Sequence, residues 1–301
     1  MYAAVERAIR FSRRFSYIGI AVAVVGACEV SHQEPSIEPE PANVGVAPVA
    51  VDNAETQGGI PTAREDQIPG ARAADVSPAA SACPAGMILV EGSYCPSVEQ
   101  PCAEWKDDPA QTQFARCQRF AEPSTCKTTH RETMRYCIDK YEAADDTGMP
   151  VADVSWTQAA AACKASGKRL CKEQEWVFAC EGEKMNPYPY GFVRDPSVCH
   201  FEISEGLATK TGDLADKRQP VLSNPQCVST FGVQNMVGNI DEWVVLDKPH
   251  WSQANGGRKM MSGLKGGWWG PLRNRCRPTT VDHDEFFHEL QTGYRCCADA
   301  S

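Results

Sequence analysis

The sequence predicts a coil-rich α+β domain stapled by disulfides, carried behind an export signal and a long acidic tether. Three observations predict it. Fifteen cysteines are spread over 301 residues. No two have the Cys-x-x-Cys spacing of zinc ribbons and thioredoxin-type sites, so in an exported chain they read as a disulfide framework. Only two segments carry helix-start signals, and the strand-like runs are short, with Gly-, Pro- and Asp-rich stretches between them. The N-terminus runs from basic to apolar to small residues, which is an address and not part of the fold.

Residues 1–27 have the order of a signal peptide. Arg7, Arg10, Arg13 and Arg14 form a basic segment, and the apolar run from Ile18 to Val25 is too short to span a bilayer. Val25-Gly26-Ala27-Cys28 resembles the lipobox of bacterial lipoproteins, so Cys28 is the expected lipid anchor and a bacterial cell-envelope membrane the expected partner. Setting Cys28 aside leaves 14 cysteines, an even number, and no free thiol is expected. Residues 28–81 are rich in Pro, Glu and Ala and nearly devoid of aromatics. They read as a disordered tether with a reach of roughly 40 Å. The chain sums to −9; without the signal it has 26 basic residues against 38 acidic, a net −12. That balance argues against nucleic acid and anionic membrane surfaces as ligands.

Residues 82–301 hold the domain. GMILVEGSY (86–94) reads as a strand. Residues 95–136 contain Cys95, Cys102, Cys117 and Cys126 with little periodicity and read as a stapled, irregular insertion. YCIDKYEA (136–143) is a second strand candidate. Ser155 and Gln158 form a capping box ahead of AAAACKAS, and Gly167 stops that helix. Glu173, Gln174 and Glu175 open a second helix with acidic groups at its positive end, which Gly182 closes. Mostly loop follows. Strand candidates return at Glu242–Leu246, Met260–Trp269 and Gly293–Cys297.

PVADVSWTQAAAACKASGKRLCKEQEWVFACEG, FGVQNMVGNIDEWV, LKGGWW and TGYRCCAD, in this order, resemble the formylglycine-generating-enzyme (sulfatase-modifying factor) family over about residues 83–299. Together the blocks SW-x-x-A, GKRL-x-x-E-x-EW, GN-x-x-EW, GG-x-W and G-[FY]-R are specific. The resemblance implies that family's coil-rich, C-type-lectin-like α+β fold. It implies disulfides Cys163–Cys296 and Cys180–Cys276. It also implies one calcium site, with Asn235 and Glu242 side chains and Gly238 and Ile240 carbonyls as oxygen donors, a hard-donor set that suits Ca²⁺. From the residues alone, the same stretch is an acidic turn entering a strand. A second family calcium site would begin near Cys199-His200-Phe201, where asparagine is expected and His200 stands; Asp213 and Asp216 lie downstream. Cys199 with Cys227 is a further expected pair. His283, Asp284, Glu285 and His288 lack metal-ligand spacing and read as a solvated helix or loop.

Two readings of function follow. The family's enzymes are oxygen-dependent oxidases that convert a sulfatase cysteine to formylglycine with a copper-holding cysteine pair. Those cysteines would lie between GG-x and Cys276. Here the interval is Trp268-Trp269-Gly270-Pro271-Leu272-Arg273-Asn274-Arg275, with no cysteine. Gly270 stands about where the first would be, and Trp268 replaces an expected serine. Asp241 replaces the tryptophan usual before EW. The expectation is therefore a non-catalytic, lipid-anchored module without copper, binding a protein, peptide or glycan. Its candidate ligand groove is formed by Trp268, Trp269, Arg273, Arg275, Arg277 and Asp241. The alternative is the formylglycine-generating oxidase or another oxygen-dependent enzyme of the family.

Overall fold

The computed structural model describes residues 82–252 and 256–301. The signal, Cys28 and the 28–81 tether lie outside them. Among the described residues no helix is long and apolar enough to cross a membrane.

Two four-stranded sheets carry the domain. In the first, β1 (Met87–Tyr94), β6 (Glu132–Asp139), β12 (Cys296–Asp299) and β7 (Arg169–Leu170) lie side by side, all antiparallel. In the second, the order is β10 (Thr279–Thr280), β9 (Arg258–Lys265), β8 (Asp241–Ser252) and β11 (Thr292–Gly293). The second strand starts earlier than YCIDKYEA suggests. Glu132 pairs with Tyr94 and Asp139 with Met87, so the polar ETMR start is fixed as strand by its partner. The expected Gly293–Cys297 strand is two. Gly293 pairs with Glu242 in one sheet and Cys296 with Leu170 in the other, and the chain crosses between sheets at Tyr294-Arg295.

The 95–136 insertion is more regular than its sequence suggests. β2 (Val98–Glu99) pairs with β5 (Thr125–Cys126), and β3 (Cys102–Trp105) pairs with β4 (Cys117–Phe120). Cys95–Cys126 and Cys102–Cys117 close the two ladders.

Helix α1 (Trp156–Ala165) has its capping box: Gln158 N donates to Ser155 Oγ, and Ser155 N donates to Gln158 Oε1 at 2.8 Å. Helix α2 (Glu173–Glu181) is buried from Glu175 onward. Glu175 takes Lys172 N at 2.8 Å and both guanidinium nitrogens of Arg169 at 2.7 Å, which fixes the helix start. The main core surrounds Trp176, Val177 and Phe178, against Val90, Tyr136 and Ile138 on the first sheet and Met236, Val237 and Val244 on the other side. A second cluster joins Ala159 and Cys163 of α1 to Trp243 and Leu264.

Candidate functional site

All 14 cysteines of the described residues are in disulfides. Cys163 is bonded to Cys296 and Cys180 to Cys276. Cys171–Cys297, Cys199–Cys227 and Cys83–Cys137 complete the set with the two bridges of the insertion. Cys276, the one cysteine in the neighbourhood of the GG-x-W block, is fully buried, and its N–H donates to Pro187 O at 2.9 Å.

The loop between β9 and Cys276 is packed inward. Trp268 and Trp269 are 5% and 0% exposed, with their rings edge to face at 5.3 Å. Gly270 is required by that packing, since a Cβ there would come within 2.5 Å of the Trp268 ring. Buried Asn274 holds the turn, donating to Trp268 O at 2.7 Å and accepting from Arg194 at 3.3 Å. The expected groove is therefore corrected. Trp268 and Trp269 are core: both are buried, with the Trp268 ring packed on Gly270 of the same loop and against the Trp269 ring. Asp241 is buried, its carboxyl pushed up to about 6 by desolvation and partly drawn back by Arg273. Arg277 is spent on structure: it grips Glu181 at 2.6 and 2.7 Å and donates to Cys95 O and Pro96 O. Arg273 is exposed and Arg275 half-buried, and these two do line a cleft, against the β3–β4 hairpin.

The NMVGNIDEW loop forms a buried polar cluster. Glu242, 1% exposed, accepts from Arg295 Nε and a terminal nitrogen at 2.6 Å each and from Trp176 Nε1 at 2.7 Å. Asn235 Nδ2 donates to Glu142 Oε2 at 2.9 Å and to Val221 O at 2.8 Å, and Asn239 Nδ2 donates to Glu142 Oε1 at 3.0 Å. Glu142 is pushed up to about 8, first by burial and then by the charge of Glu242. Gly238 has φ +79 and would put a Cβ 2.3 Å from His200 O, so the chain can make this turn only with glycine. The expected calcium donors thus lie on one loop. Asn235 Oδ1 is a buried acceptor without a partner. Such an orphan is costly unless something binds it, and two carboxylates stand here against one guanidinium. Oxygen is the donor Ca²⁺ takes, and Asn235 Oδ1 is the side-chain oxygen of this set left open; both Glu242 oxygens are held by Arg295 and Trp176.

Sequence reasoning missed Arg295, Glu142 and Trp176 as members of this cluster. Arg295 stands inside TGYRCC, a block already singled out; Glu142 is one of several acids in YCIDKYEAADD, with nothing local to set it apart. At the second family site, His200 Nε2 bonds Lys217 O at 2.5 Å, Asp216 grips Arg218, and Asp213 accepts from Thr211. His283 stacks on Phe287 and His288 meets Asp153 at 2.7 Å on the surface. Among the described residues no group of three or more His, Cys, Asp or Glu side chains gathers as a metal cluster.

Against known proteins, residues 98–300 match the family described as "Sulfatase-modifying factor enzyme 1-like domain". A Bos taurus protein named "Inactive C-alpha-formylglycine-generating enzyme 2" is 32% identical over 162 residues, half of each chain. The Mus musculus "Formylglycine-generating enzyme" is 37% identical over 99 residues, 31% of this chain and 26% of that protein. The chain thus spans half or less of the length of these relatives. Among solved structures, CarF aligns with a TM-score of 0.49 at 16% identity, over 71% of this chain and 98% of that one.

Proposed function

Because the chain belongs to the sulfatase-modifying factor enzyme 1-like family, we propose that it is an exported, lipid-anchored member that lacks the family's thiol chemistry and serves as a binding module. One observation carries this reading. Every cysteine of the described residues is committed to a disulfide, and the Trp268–Arg275 interval has none, so among the described residues no thiolate is available to hold copper or exchange with a substrate cysteine. Trp268 packs where that chemistry would need an open, thiol-lined loop. The relative named as inactive gives the reading a precedent within the family. Seven disulfides suit an oxidising compartment. The VGAC segment supports anchoring through Cys28 in a bacterial envelope; fractionation and the mass of the mature N-terminus test it.

The catalytic alternative is tested by incubating the purified protein with a sulfatase-motif peptide, copper, oxygen and a reductant mild enough to spare the disulfides. No aldehyde product is expected by mass spectrometry. Aldehyde lost on mutating any cysteine outside Cys163, Cys180, Cys276 and Cys296 would overturn the proposal.

The same reading includes one calcium ion held by Asn235, Gly238, Ile240 and Glu242. The orphan Oδ1 of Asn235 supports it. A cation there would favour ionised Glu142, which burial and the charge of Glu242 otherwise push toward its neutral form. Ligand bound only by the native state raises the melting temperature with its excess over Kd. Calcium is expected to raise it in the native protein and not in Glu242→Gln; equal, chelator-insensitive melting of both would remove calcium from the picture.

A further inference from the structure

We propose that the cleft between the β3–β4 hairpin and the 271–275 loop binds an anionic oligosaccharide, with sugar faces on the exposed rings and carboxylate or sulfate groups on the arginines. This deepens the binding-module reading and rests on it. The cleft encloses about 450 Å³, within the range of ligand clefts. Its charge is built from four guanidiniums. Arg194 meets Glu202 at 2.5 Å and donates to Pro271 O and Asn274 Oδ1 at 3.3 Å. Arg116 pairs with Glu202 as well and with Asp107 at 2.6 Å. These two are fixed. Arg275 is not so satisfied: among the described residues it forms no ion pair with a carboxylate, and its guanidinium lies 5.4 Å from the Phe120 ring centroid. Burial and the neighbouring Arg194 both work against its charge. Arg273 stands exposed beside it, held in the left-handed region at φ +59. Four cations against Asp107 and Glu202 leave this cleft positive on a chain whose net charge is −9. A half-buried cation crowded by another gains most when an anion arrives, and the guanidinium fork matches carboxylate and sulfate oxygens.

The rings select the rest of the ligand. Trp105 and Phe114, on the hairpin side, are 48% and 43% exposed and line the same cleft. Flat aromatic faces left in water beside cations suit the C–H face of a pyranose that also carries an acid group. An acidic peptide fits less well. Cys102 lies opposite Phe120 and Trp105 opposite Cys117, and all four line the cleft. Cross-strand partners share a face, so the hairpin offers its face and not an edge to a strand-like ligand. The outer edge of β4 is already taken, with Phe120 N bonded to Phe192 O and Arg194 N to Gln118 O.

The test uses the whole chain, followed by tryptophan fluorescence and calorimetry. The probes are tetragalacturonate, a sulfated tetrasaccharide of chondroitin type, an uncharged tetrasaccharide and polyglutamate. Saturable binding of one or both anionic sugars is expected, and which of them binds tells carboxylate from sulfate. It should weaken with salt and fall roughly tenfold or more in Arg275→Gln and in Trp105→Ala. Arg273→Gln should weaken it in the same direction; its side chain is exposed, and a melting scan of the same sample separates lost binding from the loss of the charge that Arg273 lends to buried Asp241. The proposal is overturned if neither anionic sugar binds, if binding ignores all three substitutions, or if polyglutamate binds more tightly with the same dependence on Arg275. The aldehyde assay on the same sample separates the two levels. Missing sugar binding without aldehyde removes only the cleft ligand, whereas aldehyde removes the non-catalytic reading whatever the sugars do.

Discussion

Residues 95–126 and residues 234–243 are both poor in regular structure, and they are held by opposite means. The first region is fastened covalently, by Cys95–Cys126 and Cys102–Cys117, and keeps large side chains such as Trp105 in solvent. The second contains no cysteine and is fastened by Asn235, Asn239 and Glu242 with Glu142 and Arg295 reaching in from elsewhere, all of them buried. A disulfide acts chiefly on the unfolded chain, so the residues it spans stay free to meet a ligand. A buried ionic network stabilises only when complete, so its members are committed to one another.

The most damaging way to break the comparison is Arg295→Met. It leaves Glu242 buried without its cation, which costs about 3–5 kcal/mol. At roughly 2–4 °C per kcal/mol for a domain of this size, the melting temperature should fall by about 10 °C. A loss below about 1 kcal/mol in calorimetry would mean that water reaches Glu242 and that the network is not what holds this loop. Removing Cys102 and Cys117 together, as the double alanine variant, should cost less. A loop of this length is worth about 3 kcal/mol in the chain-entropy treatment. The loss should appear as local opening: faster proteolysis between residues 106 and 116 and weaker cleft binding, with the main transition little moved. Coincident loss of the whole domain would show that the insertion folds as part of the core.

These two regions also differ in how far they could be read beforehand. The capping box at Ser155 and the apolar run of MILVEGSY announce α1 and β1 locally, because each signal lies within the element it forms. The β2–β5 and β3–β4 ladders do not, since two- to four-residue strands have no period to detect and are fixed by cysteine pairing. The candidate calcium residues were named from the NMVGNIDEW block. Their charge partner was not, because Arg295 is 53 residues away and acts through the fold. The tryptophan pair failed as a groove for a related reason. KGGWW says nothing about which way the indoles turn; Gly270 and Asn274 decide that, by close packing and by a hydrogen bond to Trp268 O. The cleft arginines Arg116 and Arg194 come from two other segments and meet only in three dimensions.

Lys265 sharpens the comparison from the middle. It is 1% exposed, and its ammonium donates to Arg277 O at 2.8 Å and Thr279 Oγ1 at 3.0 Å, neutral acceptors and not a paired carboxylate. Desolvation pushes it down from its ordinary 10.5 to about 7. Between those values the unfolded chain holds a proton that the folded chain lacks, so folding gains stability as pH rises through the window and loses it as pH falls toward 7. Lys265→Met removes this pH dependence. The stability difference between native protein and variant should shift by about 2 kcal/mol in favour of the native protein from pH 7 to 9. A pH-independent difference would mean that Glu173, Glu181 and Asp247 keep the lysine charged.

The smallest expected effect is the control for the largest. Arg135 and Glu91 sit directly opposite on β6 and β1 and meet at 3.2 Å, much as Arg295 meets Glu242, but their side chains are 41% and 57% exposed. Water already solvates both groups, and holding two long side chains together costs entropy, so such a pair is worth about 0–1 kcal/mol. Arg135→Met should therefore lower stability by less than about 1 kcal/mol, and added salt should shrink even that. The same substitution at Arg295 should be several-fold worse and nearly insensitive to salt, because the buried pair is screened little. Chemical denaturation of both variants with urea, at low and high sodium chloride, reads the contrast directly. Equal losses would show that the charge pair itself, and not the burial of its partner, sets the cost, and the distinction between the committed loop and the free surface would fail at its root.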